Sequence, residues 1–298
     1  MSSVSFTLND GTIVPGIGFG TGTALFGKDC AGQVKQAIDA GFVHLDGAQA
    51  YNNEESLSEG IKLSGKPRSE LFIVTKLRPG ALAEHVKPAF DASLKKLGVD
   101  FVDLFLVHCP IAMKAGDPQP DLPEVWHEVE AIHAQGLAKS IGVSNFRIPH
   151  LQAILPTAKV IPSVNQLEIH PYVWKTVEPI VKFGVENGNI TAASYGGLTP
   201  IVRAAGGPLD PVLATVAERL TKEFGKPVST GQVLSKWVLQ KKIILVTTSS
   251  KEERLREYLQ TAELPDLTEA EIAEIDTVGA KLHKRVFMKH VFDDTDPQ

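Results

Sequence analysis

Eight short apolar runs recur along the chain, each followed by a stretch of helical periodicity, and this beat constrains the fold more than any other feature. The runs are 16–20, 42–46, 71–75, 101–107, 138–143, 161–165, 190–194 and 243–247. Several are apolar almost throughout, as parallel strands covered on both faces must be. Between them small and apolar residues stand three and four apart, as in Val34, Ala37, Ile38 and Gly41, or Val86, Phe90, Leu94 and Leu97. Trp126, Val129 and Ile132 repeat the pattern in a third segment. That spacing predicts helices with one buried face. Eight strand–helix units in about 230 residues predict an α/β fold, the (β/α)₈ barrel. A doubly wound dinucleotide sheet would open on Gly-x-Gly-x-x-Gly, and no such turn follows the first strand.

The rest of the chain departs from the beat. Val4–Leu8 alternates apolar and polar residues, Asn9-Asp10-Gly11 supplies a turn and Thr12–Val14 returns, which predicts an N-terminal β-hairpin. Residues 196–209 read as a long loop, and an extra helix at about 210–225 precedes the one at about 228–241. Thr268-Glu-Ala-Glu271 is a capping box that opens a further helix. The tail from Lys284 carries Phe287 and Phe292 without periodicity and is expected to lie over the barrel. With no linker or low-complexity segment, residues 1–298 are expected to form one domain.

Charge narrows the function. Thirty basic residues against thirty-five acidic ones give a net charge of −5, with no basic stripe to track phosphates, so nucleic acid is not expected as a partner. No apolar run reaches the ~18 residues of a membrane span, and the first residues lack the pattern of a secretory signal. Cys30 and Cys109 are the two cysteines, too few for a disulfide framework or a clustered metal site. These points predict a soluble, cytoplasmic protein without a metal.

Barrel enzymes carry their chemistry at the C-terminal ends of the strands. Here the second run ends in Asp46 with Tyr51 five residues on, the third runs into Lys76 and the fourth ends in His108. Singly, these would be a helix cap, a solvated lysine and a core histidine. On consecutive strand ends they point to one proton-handling site. A tyrosine with a pKa near 10 is a poor acid at neutral pH, and a neighbouring ammonium is expected to lower that pKa, with Asp46 holding Lys76 in place. Tyr51 would then protonate a developing alkoxide while a neutral His108 orients the carbonyl oxygen. None of the four is a nucleophile, so the hydride for such a reduction must come from a bound cofactor.

These residues resemble those of the aldo-keto reductases, and the likeness covers nearly the whole chain. His44-Leu-Asp46 through Tyr51-Asn-Asn-Glu54, Thr75-Lys76 and His108-Cys-Pro110 match the family's catalytic signatures. The resemblance implies a tetrad of Asp46, Tyr51, Lys76 and His108 and NADPH as cofactor. It implies that Ser144, Asn145 and Gln166 clamp the nicotinamide carboxamide and that Tyr195 stacks on the ring. It extends cofactor binding to Thr21, Gly22, Gly196 and Leu198. At the far end it implies that Thr248, Ser249, Ser250, Arg254 and Glu257 hold the coenzyme's 2′-phosphate region. That segment follows the eighth strand and opens a helix, where backbone N–H groups favour anions.

The chain also departs from the family pattern. Thr248 stands where relatives carry a lysine, so one charge contact is missing and the NADPH preference is expected to be moderate. Gly22 and Cys109 replace aromatics, which predicts a wider substrate cleft, with Phe287 and Phe292 as its apolar wall. The variants resemble microbial ketone reductases acting on activated dicarbonyls such as keto-lactones. The expected partner is a small carbonyl substrate and the expected state a monomer. Two other readings stay open at this level: a redox-sensing subunit that binds NADPH and turns over slowly, and an unrelated phosphate-binding barrel such as an isomerase or aldolase.

Overall fold

The computed structural model describes residues 4–114 and 116–292. The hairpin comes first, β1 (Ser5–Thr7) antiparallel to β2 (Ile13–Pro15). The eight apolar runs then form β3 (Ile17–Gly20), β4 (His44–Asp46), β5 (Phe72–Leu77), β6 (Val102–Val107), β7 (Ala138–Ser144), β8 (Val164–Glu168), β9 (Thr191–Tyr195) and β10 (Ile244–Thr247). Every neighbouring pair is parallel, and β10 pairs back onto β3, so the sheet closes. The expected (β/α)₈ barrel with its hairpin is what forms.

Helices surround it: α1 (Ala31–Ala40), α2 (Glu54–Ser64), α3 (Ala83–Leu97), α4 (Leu122–Ala134), α5 (Ile148–Ile154) and α6 (Pro171–Glu186). After β9 the segment read as a loop contains a single helical turn, α7 (Thr199–Val202), with Pro200 preset for a first helical turn. The extra helix is α8 (Asp210–Phe224), followed by α9 (Thr230–Gln240), α10 (Glu252–Gln260) and α11 (Glu269–Gly279). The capping box at α11 is reciprocal: Thr268 Oγ1 accepts from the Glu271 N–H at 3.2 Å, and Glu271 Oε2 accepts from the Thr268 N–H at 2.8 Å. Gly98 ends α3 in the left-handed region at φ 66°, where a side chain would be strained.

Two apolar cores divide the barrel. The outer one lies between strands and helices and holds Ile73, Phe105, Leu167 and Leu245 with Val34, Phe90, Trp126 and Trp237. The inner one takes the alternate strand residues, Phe72, Val74, Leu104, Leu106, Val164, Ala193 and Ile244, and is corked by Leu8 and Val14 of the hairpin. Because strand side chains alternate with period two, each inward row continues upward past its apolar residues. Phe72 and Val74 lead to Lys76, Leu104 and Leu106 to His108, Val164 to Gln166 and then Glu168, and Ala193 to Tyr195. The apolar half of each row fills the barrel, and the polar half emerges together at one end. That end is the site.

Candidate active site

Tyr51 reaches this end from outside the strands, at the close of a 3₁₀ turn over Gln49–Tyr51. Its loop is pinned by the residues that follow it. Asn53 Nδ2 donates to the carbonyls of Thr21 and Leu25 at 2.8 and 2.9 Å, and Glu54 Oε1 accepts from Thr75 Oγ1 at 2.7 Å. Lys76, with none of its surface exposed, donates to Asp46 Oδ1 at 2.5 Å and to the Gly47 carbonyl at 2.9 Å. It also points at Tyr51, with Nζ 3.4 Å from Oη. His108 packs edge-on against the Tyr51 ring, centroids 5.5 Å apart. All four residues therefore meet.

The electrostatics correct one expectation. The surroundings push the Tyr51 hydroxyl well above its ordinary pKa, chiefly by desolvation and then by the charge of Asp46. The lowering expected from the ammonium does not appear, because desolvation and the Asp46 charge both push the hydroxyl up. Burial also lowers Lys76, which the Asp46 carboxylate opposes. His108 is pushed down to about 3 by burial and then by the Lys76 charge, so its imidazole is neutral across the physiological range.

The clamp residues are wired into the tetrad. Gln166 Nε2 donates to Asp46 Oδ2 at 2.8 Å. Ser144 Oγ donates to the Gln166 carbonyl at 2.8 Å, and Asn145 Nδ2 donates to the His108 carbonyl at 2.9 Å and to Ser144 Oγ at 3.0 Å. Tyr195 Oη donates to Asn145 Oδ1 at 2.6 Å. Thr21, buried, donates through Oγ1 to the Asp46 carbonyl at 3.2 Å and through its N–H at 2.9 Å. Two amide side chains and an aromatic ring at one barrel end have the donors, acceptors and face that a nicotinamide carboxamide needs.

β10 lies between β9 and β3, so the loop after β10 opens beside Tyr195 and Gly22. There Ser249 Oγ accepts from the Lys251 N–H at 3.0 Å, and Lys251 is the N-cap of α10. Thr248 and Ser249 are half-buried, whereas Ser250, Lys251 and Arg254 are exposed. Exposed hydroxyls, cations and the free N–H groups of a helix start suit a phosphate.

Residues 17–280 match the aldo/keto reductase family. The chain belongs to that family. It is accordingly an NADP-dependent oxidoreductase, which removes the isomerase and aldolase reading. The reductase is 40% identical over 288 residues to the NAD/NADP-dependent indole-3-acetaldehyde reductase of Schizosaccharomyces pombe, covering 94% of this chain and 97% of that one. It is 32% identical over 286 residues to the NADPH-dependent alpha-keto amide reductase of Saccharomyces cerevisiae, covering 92% and 90%. Its fold superposes on the aldo-keto reductase of Bombyx mori solved in complex with NADP, with a TM-score of 0.85, 30% identity and 98% of each chain covered.

Two residues of the reductase, Gly22 and Phe292, sit differently from expectation, whereas Cys109 is the small buried residue that its place beside Pro110 suggests. Gly22 does not widen the cleft, since a Cβ there would meet the Tyr51 ring 2.8 Å from Cζ. The tyrosine occupies the room that a side chain would take. Phe292 is 5% exposed and packs under the Arg285 guanidinium, 4.0 Å from its ring, so it anchors the tail instead of walling a cleft. Cys109 is buried, its Sγ lies 3.9 Å from His290 Nε2 of the tail, and burial pushes the thiol up to about 11, which makes it a small packing residue and no nucleophile. Phe287 does lie at the mouth, edge-on to Tyr195 at 5.7 Å. Gly196 takes φ 70° beside that ring, and Leu198 caps α7. Glu257 accepts from Gln232 Nε2 through its backbone carbonyl at 3.0 Å.

Sequence reasoning did not single out Phe26 or Glu168, and it took Lys251 only as part of the segment after the eighth strand. Phe26 is half exposed and its ring lies 6.1 Å from Tyr51. Nothing in its local pattern distinguishes it. Lys251 was legible as a cation at a helix start, and Glu168 as the next inward residue after Gln166.

Proposed function

We propose that the reductase converts an activated ketone or aldehyde to its alcohol, with Tyr51 as the acid, and the Tyr51 hydroxyl held 3.4 Å from Lys76 Nζ, beside the Asp46–Lys76 ion pair, carries this reading. A hydroxyl held above its normal pKa stays protonated until a stronger base forms in front of it. An alkoxide developing on the substrate is that base, and Tyr51 Oη gives it the proton. Lys76 Nζ, 3.4 Å away, then faces the phenolate oxygen. Asp46 keeps that ammonium charged against desolvation. Neutral His108 offers one ring N–H to the carbonyl oxygen and sets its angle. Ser144, Asn145 and Gln166 would orient the carboxamide of NADPH, Tyr195 would back its ring, and Ser249, Ser250 and Arg254 would meet its 2′-phosphate; held there, the coenzyme would supply the hydride.

The substrate class follows from what the mouth lacks. Phe26 and Phe287 are apolar, and the tetrad supplies one acid and one neutral donor, which favours a carbonyl already polarised by a neighbour. A second carbonyl beside the first, as in a keto amide or keto lactone, does that. The relative from Saccharomyces cerevisiae is named for such a substrate. We place the protein in the cytoplasm as a one-domain monomer, with no nucleic-acid partner. Among the described residues no helix is long and apolar enough to cross a membrane.

Following NADPH oxidation with a panel of carbonyls tests the proposal. kcat/KM for a cyclic 1,2-dicarbonyl should exceed that for a simple aliphatic aldehyde or an aldose. The reverse order would refute the substrate class, and NADPH binding without turnover on any carbonyl would favour the redox-sensing alternative.

A further inference from the structure

Glu168 closes β8 and none of its surface is exposed. A buried carboxylate must be satisfied by hydrogen bonds or charge. Here most of that comes from the C-terminal tail. The Val286 N–H donates to Oε1 at 3.0 Å and to Oε2 at 3.2 Å, and the Phe287 N–H donates to Oε2 at 2.9 Å. His170 Nε2 lies 3.1 Å from Oε1 and the Arg285 guanidinium 3.7 Å from Oε2. The hydrogen bonds reach the tail through backbone N–H groups, with the Arg285 guanidinium as a charge partner, so together they fix the path of the chain at Val286 and Phe287.

That path decides where Phe287 stands. Glu168 is the register partner of Tyr195 across β8 and β9. The Phe287 ring lies edge-on to Tyr195, and its Cε2 is 3.3 Å from where a Cβ on Gly196 would be. One carboxylate therefore ties three things together: the end of β8, the tail, and the aromatic that closes β9.

We propose that Glu168 is a positioning residue for the coenzyme, clasping the tail so that Phe287 supports Tyr195 against the nicotinamide. This rests on the reading of Tyr195 as the stacking residue. The clasp couples two events, tail closure and coenzyme binding, and such coupling is reciprocal: whatever the closed tail adds to coenzyme affinity, the coenzyme must return as protection of the tail.

Hydrogen exchange on the full chain, read at the Val286 and Phe287 amides, tests the inference alongside NADPH affinity measured by tryptophan fluorescence. NADPH should slow exchange of both amides. Glu168→Gln places an amide donor against tail donors, and should speed that exchange and weaken NADPH binding by about tenfold, because only the closed fraction binds well. The loss should fall on KM for the coenzyme more than on kcat. Val286→Pro removes one tail N–H without touching the barrel, so it tests the same clasp even if Glu168→Gln folds poorly. The double variant should be no weaker than the weaker-binding single one, since both break one contact. Unchanged exchange on NADPH binding, or fully additive losses, would overturn the clasp. If Tyr195→Ala binds NADPH as tightly as wild type, the stacking premise itself fails, a result distinct from either of those.

Discussion

At one side of the barrel mouth Asp46, Lys76 and Gln166 hold one another by side-chain hydrogen bonds and are each less than 5% exposed; at the other, Ser250, Lys251 and Arg254 stand in solvent at the start of α10. The first group grows from strand rows whose lower halves fill the barrel, so its positions are fixed by the packing beneath them. The second group sits on a helix start and is fixed only locally, through the Ser249–Lys251 turn. Buried charges act at low dielectric and change each other's protonation, whereas exposed ones are screened and act almost independently. On the roles proposed for the two groups, chemistry and coenzyme choice would vary separately in this reductase. A change at the tetrad should be large and disrupt the whole set, and a change at α10 small, additive and salt-dependent.

The largest expected effect is at the tetrad. Tyr51→Phe removes the acid while keeping the ring over Gly22 and against His108. Turnover should fall by about 10² or more, the scale for losing a general acid, with NADPH affinity nearly intact. Single-turnover and equilibrium binding measurements separate the two. A Phe variant that keeps most of its kcat would place the proton donor elsewhere.

Next comes a pH effect confined to the buried side. His108 is held near 3 in the folded protein against about 6.5 in an unfolded chain, so below pH 6.5 the unfolded state binds the extra proton. Stability should be flat above that pH and fall from about 6.5 down towards 3, by about 2–3 kcal/mol at pH 4.5 from this residue alone. Burial lowers His44 and His170 as well, which steepens the slope. Urea midpoints at pH 7.5, 6 and 4.5 check this. A curve with no acid slope would mean that these histidines are not held neutral.

How far this comparison was legible in the sequence follows from what each part depends on. The barrel was legible because eight apolar runs leave few alternatives, and the four candidate residues because they stand at or just beyond the ends of consecutive runs and match the family's signatures; the inward rows that bring Lys76 and His108 together show only in the fold. The direction of the Tyr51 shift was not legible, since it depends on how much protein surrounds the hydroxyl. Nor was the contact of Gly22 with that ring, made between segments 29 residues apart in sequence. The helical turn at α7 was hidden by four glycines in residues 196–209. Glu168 lies beyond the run read at 161–165, and its partners come from a tail that shows no periodicity.

At the exposed side, Arg254→Ala should weaken NADPH by about 1.5 kcal/mol, the lower end for a charged hydrogen bond, and leave NADH almost unchanged. Titrating each coenzyme into the variant checks it. Equal losses for both would move Arg254 away from the 2′-phosphate and blur the contrast with the tetrad.

The smallest effect is the most discriminating about exposure. Thr248 stands where the family resemblance implies a lysine, and it is half-buried just after β10, beside the Ser249 turn. Thr248→Lys adds a cation within reach of the coenzyme phosphate, while Lys251 already supplies one at the N-cap of α10. A solvated ion pair is worth about 0.2–1 kcal/mol, so NADPH should bind up to about fivefold more tightly, with no change for NADH. The gain should shrink steadily as salt rises, because the Debye length falls from about 10 Å at 0.1 M to about 3 Å at 1 M. Tyr51→Phe should show no such salt dependence in its turnover defect, since Lys76 and Asp46 are closed to ions. If the Thr248→Lys gain persists undiminished at 1 M salt, the phosphate end is as enclosed as the tetrad, and the division between a fixed chemical end and an adjustable coenzyme end does not hold.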